Sequence, residues 1–353
     1  MTLLDEVTTM GDEPRRTVVA PSAASVPVDA ASVDAAPVPD DDPRVVRIAD
    51  ATWSVDVLPA TGAALGAGRI RTADGVWRDL LRPTSRVGRG TPERCASFPM
   101  IPWSNRVRDG VLRFAGREHR LQRDCADGCA IHGAARYAAW DVVDRGPAHV
   151  VVELDTRGQV GINFPWDFVA RLQYAVRDGA LTITTTLRNV DREPFPGGFG
   201  HHPYLQRALA PVGAVPPRPV GRPLIQVPAH ACYQLTGAMP TGPAVPLTAR
   251  ADFRTPRRLD EALVDDVLTA REPGVPATIR YDDPDVLVEL SADPVFEHLV
   301  FYSPRGRAYF ALEPATNVND GVALFEAGVP GTGVFVLEPG EERTGVCALT
   351  VRT

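Results

Sequence analysis

Four histidines and two acids stand in contexts that could support proton transfer. His132 lies in Ala130-Ile131-His132-Gly133. His201 and His202 lie in Gly200-His201-His202-Pro203-Tyr204, and His298 follows Glu297. Imidazole has the ordinary side-chain pKa nearest neutrality, which suits it to acid, base or ligand roles. A lone strand histidine is more often a hydrogen-bonded structural residue, and spacing alone leaves that alternative open. Neighbouring strand residues point to opposite faces, so only one of His201 and His202 enters a given cleft. Among the acids, Glu313 closes the apolar run Tyr309-Phe310-Ala311-Leu312-Glu313. A carboxyl at the end of such a strand is expected to lose solvation, which lifts its pKa towards the range of a general base. Asp265, in Leu263-Val264-Asp265-Asp266-Val267-Leu268, reads either as a second such acid or as a solvated loop residue.

A further segment, Phe98-Pro99-Met100-Ile101-Pro102-Trp103-Ser104-Asn105-Arg106, uses two prolines and a tryptophan to stiffen the delivery of Asn105 and Arg106. Their polar forks suit the hydroxyls of a small polyol, although an arginine paired structurally with a nearby acid is an equal reading. All 37 basic residues are arginine. The absence of lysine excludes Schiff-base chemistry, a P-loop lysine and Ser-Lys catalysis, and skewed base composition accounts for it without any function. GxSxG, GxxxxGK[ST], HExxH and GxGxxG patterns are all missing. The five cysteines form no paired CxxC and are expected as free thiols, with no structural zinc site.

These residues must be held by strands. The chain of 353 residues carries 30 Gly and 34 Pro, which favours turns over long helices. Runs such as Trp53 to Leu58, Phe168 to Val176, Ala180 to Arg188, Val286 to Leu290 and Ala308 to Glu313 alternate with turn signals at short intervals, as in all-β proteins. Arg177-Asp178-Gly179 between two such runs is the clearest hairpin signal. The Pro-rich stretch from Leu209 to Pro223 reads as a loop. Residues 1–43 hold nine acids against two bases in an Ala/Pro/Val-rich setting, and read as a disordered acidic tail. Residues 44–353 balance at neutrality, which argues against a polyanion partner such as nucleic acid. No run approaches 18 apolar residues and the N-terminus lacks a signal-peptide pattern, so a cytoplasmic protein without a membrane partner is expected. One large antiparallel β-sandwich over 44–353, with few short helices, follows.

The order of the motifs adds a resemblance. Pro102-Trp103-Ser104-Asn105-Arg106-Val107-Arg108-Asp109-Gly110, Ile131-His132-Gly133 with Trp140, Gly200-His201-His202-Pro203-Tyr204-Leu205, Val264-Asp265-Asp266-Val267, and Leu312-Glu313-Pro314 with Asn319-Asp320 together resemble the aldose 1-epimerase family, in register over nearly the whole body. The resemblance implies a galactose mutarotase-like supersandwich with a small-molecule sugar on one sheet. It further implies Glu313 as general base, His202 as general acid, and His132, Asp265, Asn105 and Arg106 as sugar-positioning residues, with no metal or cofactor. His201 replaces a residue that is usually apolar in the family, which leaves the choice of ring to register. The alternatives are a mutarotase of a phosphorylated or acidic sugar, a binding-only carbohydrate protein on the same fold, and a glycosidase using Asp265 with Glu313. No sequence feature marks an oligomeric state.

Overall fold

The strand from Phe168 to Arg177 shows how the sequence builds the sheets: Phe168, Ala170, Leu172, Tyr174 and Val176 are buried, while Arg171, Gln173 and Arg177 are exposed. That two-residue period is what a strand with one face on a core requires. It turns through Asp178 and Gly179, at φ 52° and 78°, into Ala180–Asn189, with Arg177 opposite Ala180. Two consecutive positive φ values are those of the hairpin turn whose twist matches the strands. The computed structural model describes residues 41–214 and 221–353. Most of the acidic tail, residues 1–40, and part of the Pro-rich loop therefore lie outside the described residues. Asp42, which composition places in the tail, is buried and pairs with Arg44 and Arg89 at 2.6 and 3.0 Å.

A nine-stranded sheet runs in the order Asp141–Gly146, His149–Asp155, Phe168–Arg177, Ala180–Asn189, Glu342–Arg352, Asp285–Ala292, Ala277–Asp282, Leu224–Gln226 and Arg257–Arg258. An eight-stranded sheet carries Val245–Pro246, Ala229–Tyr233, Val264–Arg271, His298–Ser303, Tyr309–Ala315, Gly200–His201 and Pro99–Met100 in sequence, with Tyr204–Gln206 also pairing Tyr309–Ala315. All pairings are antiparallel. The layers share one apolar core that includes Phe199, Phe296, Phe301 and Phe310. Polar links join the two sheets, among them Tyr281 Oη donating to Gln206 O at 2.8 Å and Thr185 Oγ1 meeting His201 Nε2 at 2.7 Å. Buried polar atoms without such partners would be costly. A four-stranded sheet from Val46 to Asp79 closes one end, with Trp53 Nε1 donating to Gly179 O. The one α-helix among the described residues is Gly321–Glu326, and no described helix is long and apolar enough to cross a membrane.

The sandwich and its sparse helix are as expected, with three departures. Ala64–Arg71 is a strand that sequence reading passed over, because its Ala and Gly residues are poor strand formers. Glu313 does not end its strand, which continues through Pro314 to Ala315. Asp265 lies within a strand, not in a loop.

The connection around His132 is fixed by backbone proximity. Gly133 adopts φ 77° and a Cβ there would stand 2.1 Å from Ile101 O. Gly128 also has a positive φ, 82°, but open space around it. Gly133→Ala is therefore expected to lose about 2–4 kcal/mol in urea unfolding, against about 1 kcal/mol for Gly128→Ala. Equal losses would mean that backbone conformation alone, without the contact to Ile101, accounts for the glycine.

Candidate active site

The site lies on the face of the eight-stranded sheet turned away from the core. Across the strands, Val267, Val300 and Glu313 are neighbours in one row, and Asp265, Tyr302, Ala311 and Tyr204 in the next. Side chains of directly opposed strand residues share a face, so Glu313 and Asp265 project to the same side. Gly200 lets the adjacent strand approach: a Cβ there would meet Pro314 O at 2.8 Å. The backbone of His202 then bonds to Phe98 O at 3.0 Å, and its imidazole Nε2 stands 3.2 Å from Glu313 Oε1.

His201 and His202 diverge as strand alternation demands. The His201 ring turns between the layers to Thr185, whereas His202 joins Glu313. The His202 ring stacks on Phe98 at 4.8 Å and meets Tyr204 at 4.4 Å, with the His132 ring edge-on at 5.4 Å. The Arg82 guanidinium covers the Tyr204 ring at 3.7 Å and is itself held by Cys95 O and Glu93 O. His298 shares the Glu313 face one row away, opposite Ala315, with its Nδ1 3.0 Å from Thr269 Oγ1.

Two connections bring the remaining residues over the sheet. Ser104 Oγ donates to Asn317 O at 2.6 Å, Asn317 Nδ2 returns a bond to Ser104 O, and Asp320 N donates to Arg106 O. The segment carrying Asn105 and Arg106 is thus stitched to the chain leaving the Glu313 strand. Arg106 pairs with Ile131, and His132 N donates to Asn105 O at 2.7 Å. Asn105 and His132 hold φ values of 55° and 60°. Such left-handed conformations cost energy in non-glycine residues and persist where surroundings impose them. The Arg106 side chain donates to Asp127 at 2.7 Å and to Asn105 Oδ1 at 3.1 Å.

The electrostatics follow from burial. Glu313 is 2% exposed, and burial, reinforced by the Asp265 charge and opposed by Arg106, lifts its carboxyl well above the ordinary range. Burial, helped by the Arg82 and Arg136 charges, lowers His202 to about 3. His132 is pushed down by burial and by the neighbouring His202, and Asp265 is pushed up, mainly by burial. Burial thus drives both members of the close pair towards their neutral forms. Glu313 Oε2, His202 Nδ1 and His132 Nδ1 are buried without a hydrogen-bond partner. Such atoms occur elsewhere among the described residues, as at Ser54 and Thr84, but here three of them fall on side chains that pack together.

Of the residues singled out from sequence, Glu313, His202 and His132 pack together, Asp265 shares the Glu313 face, Asn105 and Arg106 lie on the adjoining connection, and His201 turns into the core. Phe98, Arg82, Asp127 and Asn317 were not singled out. Phe98 and Tyr204 touch the histidine through ring contacts that sequence spacing does not encode, and Asn317 bonds across 213 residues of chain. Strand alternation, which puts Tyr309, Ala311 and Glu313 on one face, is the local signal that bears on this row. Among the described residues, no group of three or more His, Cys, Asp or Glu could hold a metal ion, and all five cysteines are free thiols.

Comparison with known proteins agrees with this architecture. Over 136 residues the chain is 29% identical to YphB, an uncharacterised protein of Escherichia coli K12, a match covering 37% of this chain and 44% of that one. The matched region thus spans less than half of that relative. YihR, another uncharacterised protein of the same organism, is 23% identical over 240 residues, 65% of this chain and 75% of its own. Among solved structures, a galactose mutarotase-like protein of Clostridium acetobutylicum superposes with a TM-score of 0.71 at 18% identity, covering 88% of this chain and 95% of that one. An aldose epimerase homologue of C. elegans gives 0.69 at 16% identity, covering 87% and 98%. These structures share the fold. A family model described as Aldose 1-epimerase matches residues 44–350, and the chain belongs to that family.

Proposed function

We propose that the protein interconverts the α and β anomers of a free aldose, with Glu313 and His202 as the proton-transfer pair. The observation that carries this reading is the buried 3.2 Å contact between His202 Nε2 and Glu313 Oε1, with the second carboxylate oxygen left unpartnered. Ring opening needs a proton taken from the anomeric hydroxyl and a proton given to the ring oxygen. The neutral pair becomes carboxylate and imidazolium by moving one proton across the contact, with no net uptake from solvent. Glu313 then accepts the hydroxyl proton while His202 delivers its own to the ring oxygen. The C1–O5 bond breaks and C1 becomes a carbonyl. Rotation about C1–C2 presents the other carbonyl face, and the reversed transfers close the opposite anomer. The spontaneous reaction is already appreciable in water, so two positioned groups contributing ~10²–10⁴-fold each suffice. His132, Asp265, Asn105 and Arg106 position the sugar hydroxyls.

A neutral sugar is favoured over a phosphorylated one because the nearest arginines are already engaged. Arg106 is on Asp127, Arg136 on Glu93 and Asp124, and Arg82 on two carbonyl oxygens. The direct experiment is polarimetry on freshly dissolved α-glucose and α-galactose. Faster approach to the uncatalysed endpoint is expected, and no acceleration with either sugar would count against a free hexose. Cleavage of an aryl glycoside would instead indicate a glycosidase.

Three further outcomes follow from the pair. In a folded Glu313→Gln protein, anomer exchange should fall by about 10²-fold or more, whereas full activity would remove Glu313 from the mechanism. His202→Ala should lose activity to a similar degree, while His201→Ala should lose mainly stability, through the Thr185 bond and the vacated space. If the His201 variant were the inactive one, the assignment of rings would be reversed. The catalysed rate should be flat between about pH 7 and pH 5, because inactivation by acid requires a second proton that burial opposes. A decline centred near pH 6.5 would indicate an ordinary solvated histidine.

The raised pKa of Glu313 also weighs on folding. Above the unfolded-state value of 4.5 the unfolded chain has released this proton while the native state retains it, so stability falls as pH rises from there towards the native pKa. Glu313→Gln should therefore raise the melting temperature by a few degrees at pH 7 and by almost nothing at pH 4. An equal gain at both pH values would show that the cost is not one of ionisation.

A further inference from the structure

Separate from the cleft, a concavity of about 550 Å³ lies beside the connection that carries His132. Its lining includes Gln122, Asp124, Tyr137, Gln159, Val160 and Asn163. The volume is within the range of small-molecule pockets, about 300–1,000 Å³. Tyr137 is 55% exposed, which is unusual for an aromatic ring in this fold, yet it is held rigidly. Its hydroxyl donates to Glu93 Oε1 at 2.9 Å, and the Arg136 guanidinium lies against the ring at 4.4 Å. Arg136 is itself 1% exposed and fixed by Glu93 and Asp124. The result is a preorganised aromatic surface that needs little ordering on binding.

The remaining lining suits an uncharged, hydroxyl-rich ligand. Val160, fully exposed, offers apolar contact, Gln122 offers its side-chain amide, and Gln159, whose Nε2 donates to Asp155 O, offers its amide oxygen. The wall is fixed where Asn163 exchanges two bonds with the Gln122 backbone, at 2.6 and 3.0 Å. The one carboxylate, Asp124, already accepts from Ile131 N and Arg136, so its charge is balanced from below. No basic side chain lines the concavity, which disfavours phosphate and other anions. A pyranose ring presents one face of C–H groups to an aromatic surface and a rim of hydroxyls to amides.

We propose that this concavity is a second saccharide-binding site, in which a pyranose ring lies on Tyr137 and bonds to Gln122, Gln159 and Asp124. The site stands independently of the chemistry at Glu313, so methyl glycosides, which cannot open their ring, are suitable probes. Saturation-transfer NMR would measure the affinities of methyl α-glucopyranoside, methyl β-galactopyranoside and methyl β-lactoside for the full chain. At least one should bind, with Kd raised about tenfold or more by Tyr137→Ala and less than about threefold by Tyr137→Phe, which keeps the ring. Gln122→Ala, at an exposed position, should also weaken binding and serves if Tyr137→Ala does not fold. Absence of binding by all three glycosides would overturn the proposal. So would binding that Glu313→Gln abolishes and that Tyr137→Ala and Gln122→Ala leave intact, since the ligand would then occupy the cleft. Mutarotation of free sugars by the wild-type protein is read separately, so failure of either reading leaves the other standing.

Discussion

Water is excluded from the contact between Glu313 and His202, and the rest of the structure can be understood as what that exclusion requires. A carboxyl and an imidazole in solution would each relax towards their ordinary pKa values and bond to water. Here Phe98 stacks on the imidazole and Tyr204 packs beside it, in contact with Phe98, and the apolar row of Val267 and Val300 extends from the carboxyl. Desolvation acts on both groups in opposite pKa directions but towards the same end, loss of charge. The price is borne by the fold as a whole, whose large sandwich core supplies the stability that such a pair consumes.

Positioning is achieved by backbone more than by side chains. The segment with Asn105 and Arg106 is bonded to residues 317–320 through Ser104, Asn317 and Asp320, so the chain leaving the Glu313 strand holds the segment that faces it. His132 is fixed in turn by its own N–H on Asn105 O. The positive φ values at Asn105 and His132 fall at two residues joined by a backbone bond, consistent with strain held in place by dense surrounding bonds.

Different parts of this arrangement were legible in the sequence to different degrees. The hairpin at Asp178-Gly179 could be read because turn chemistry and two-residue alternation are local. The choice between His201 and His202 could be narrowed by the same alternation but not decided, since the deciding bond comes from Thr185 on the other sheet. Asp265 was ambiguous for a similar reason: a strand residue and a loop residue look alike until the neighbouring Tyr302 strand is known. Arg106 was expected either to meet a sugar or to pair with an acid, and its bond to Asp127 shows that the pairing exists. Non-local partners such as Asn317 had no signal at all in spacing.

Arg136 links the two concavities in physical terms. Its side chain is almost wholly buried, yet it is balanced by Glu93 and Asp124 and supports the Tyr137 ring from beneath. The same charge lowers the proton affinity of both His132 and His202. A buried guanidinium is tolerated only when it is paired, so the acids that stabilise it also attenuate its field at the histidines. Any change that draws Glu93 or Asp124 away from Arg136 would strengthen that field and hold His202 more firmly neutral. The acids beneath Tyr137 therefore bear on His202 without touching it, through the share of the Arg136 charge that they leave unbalanced.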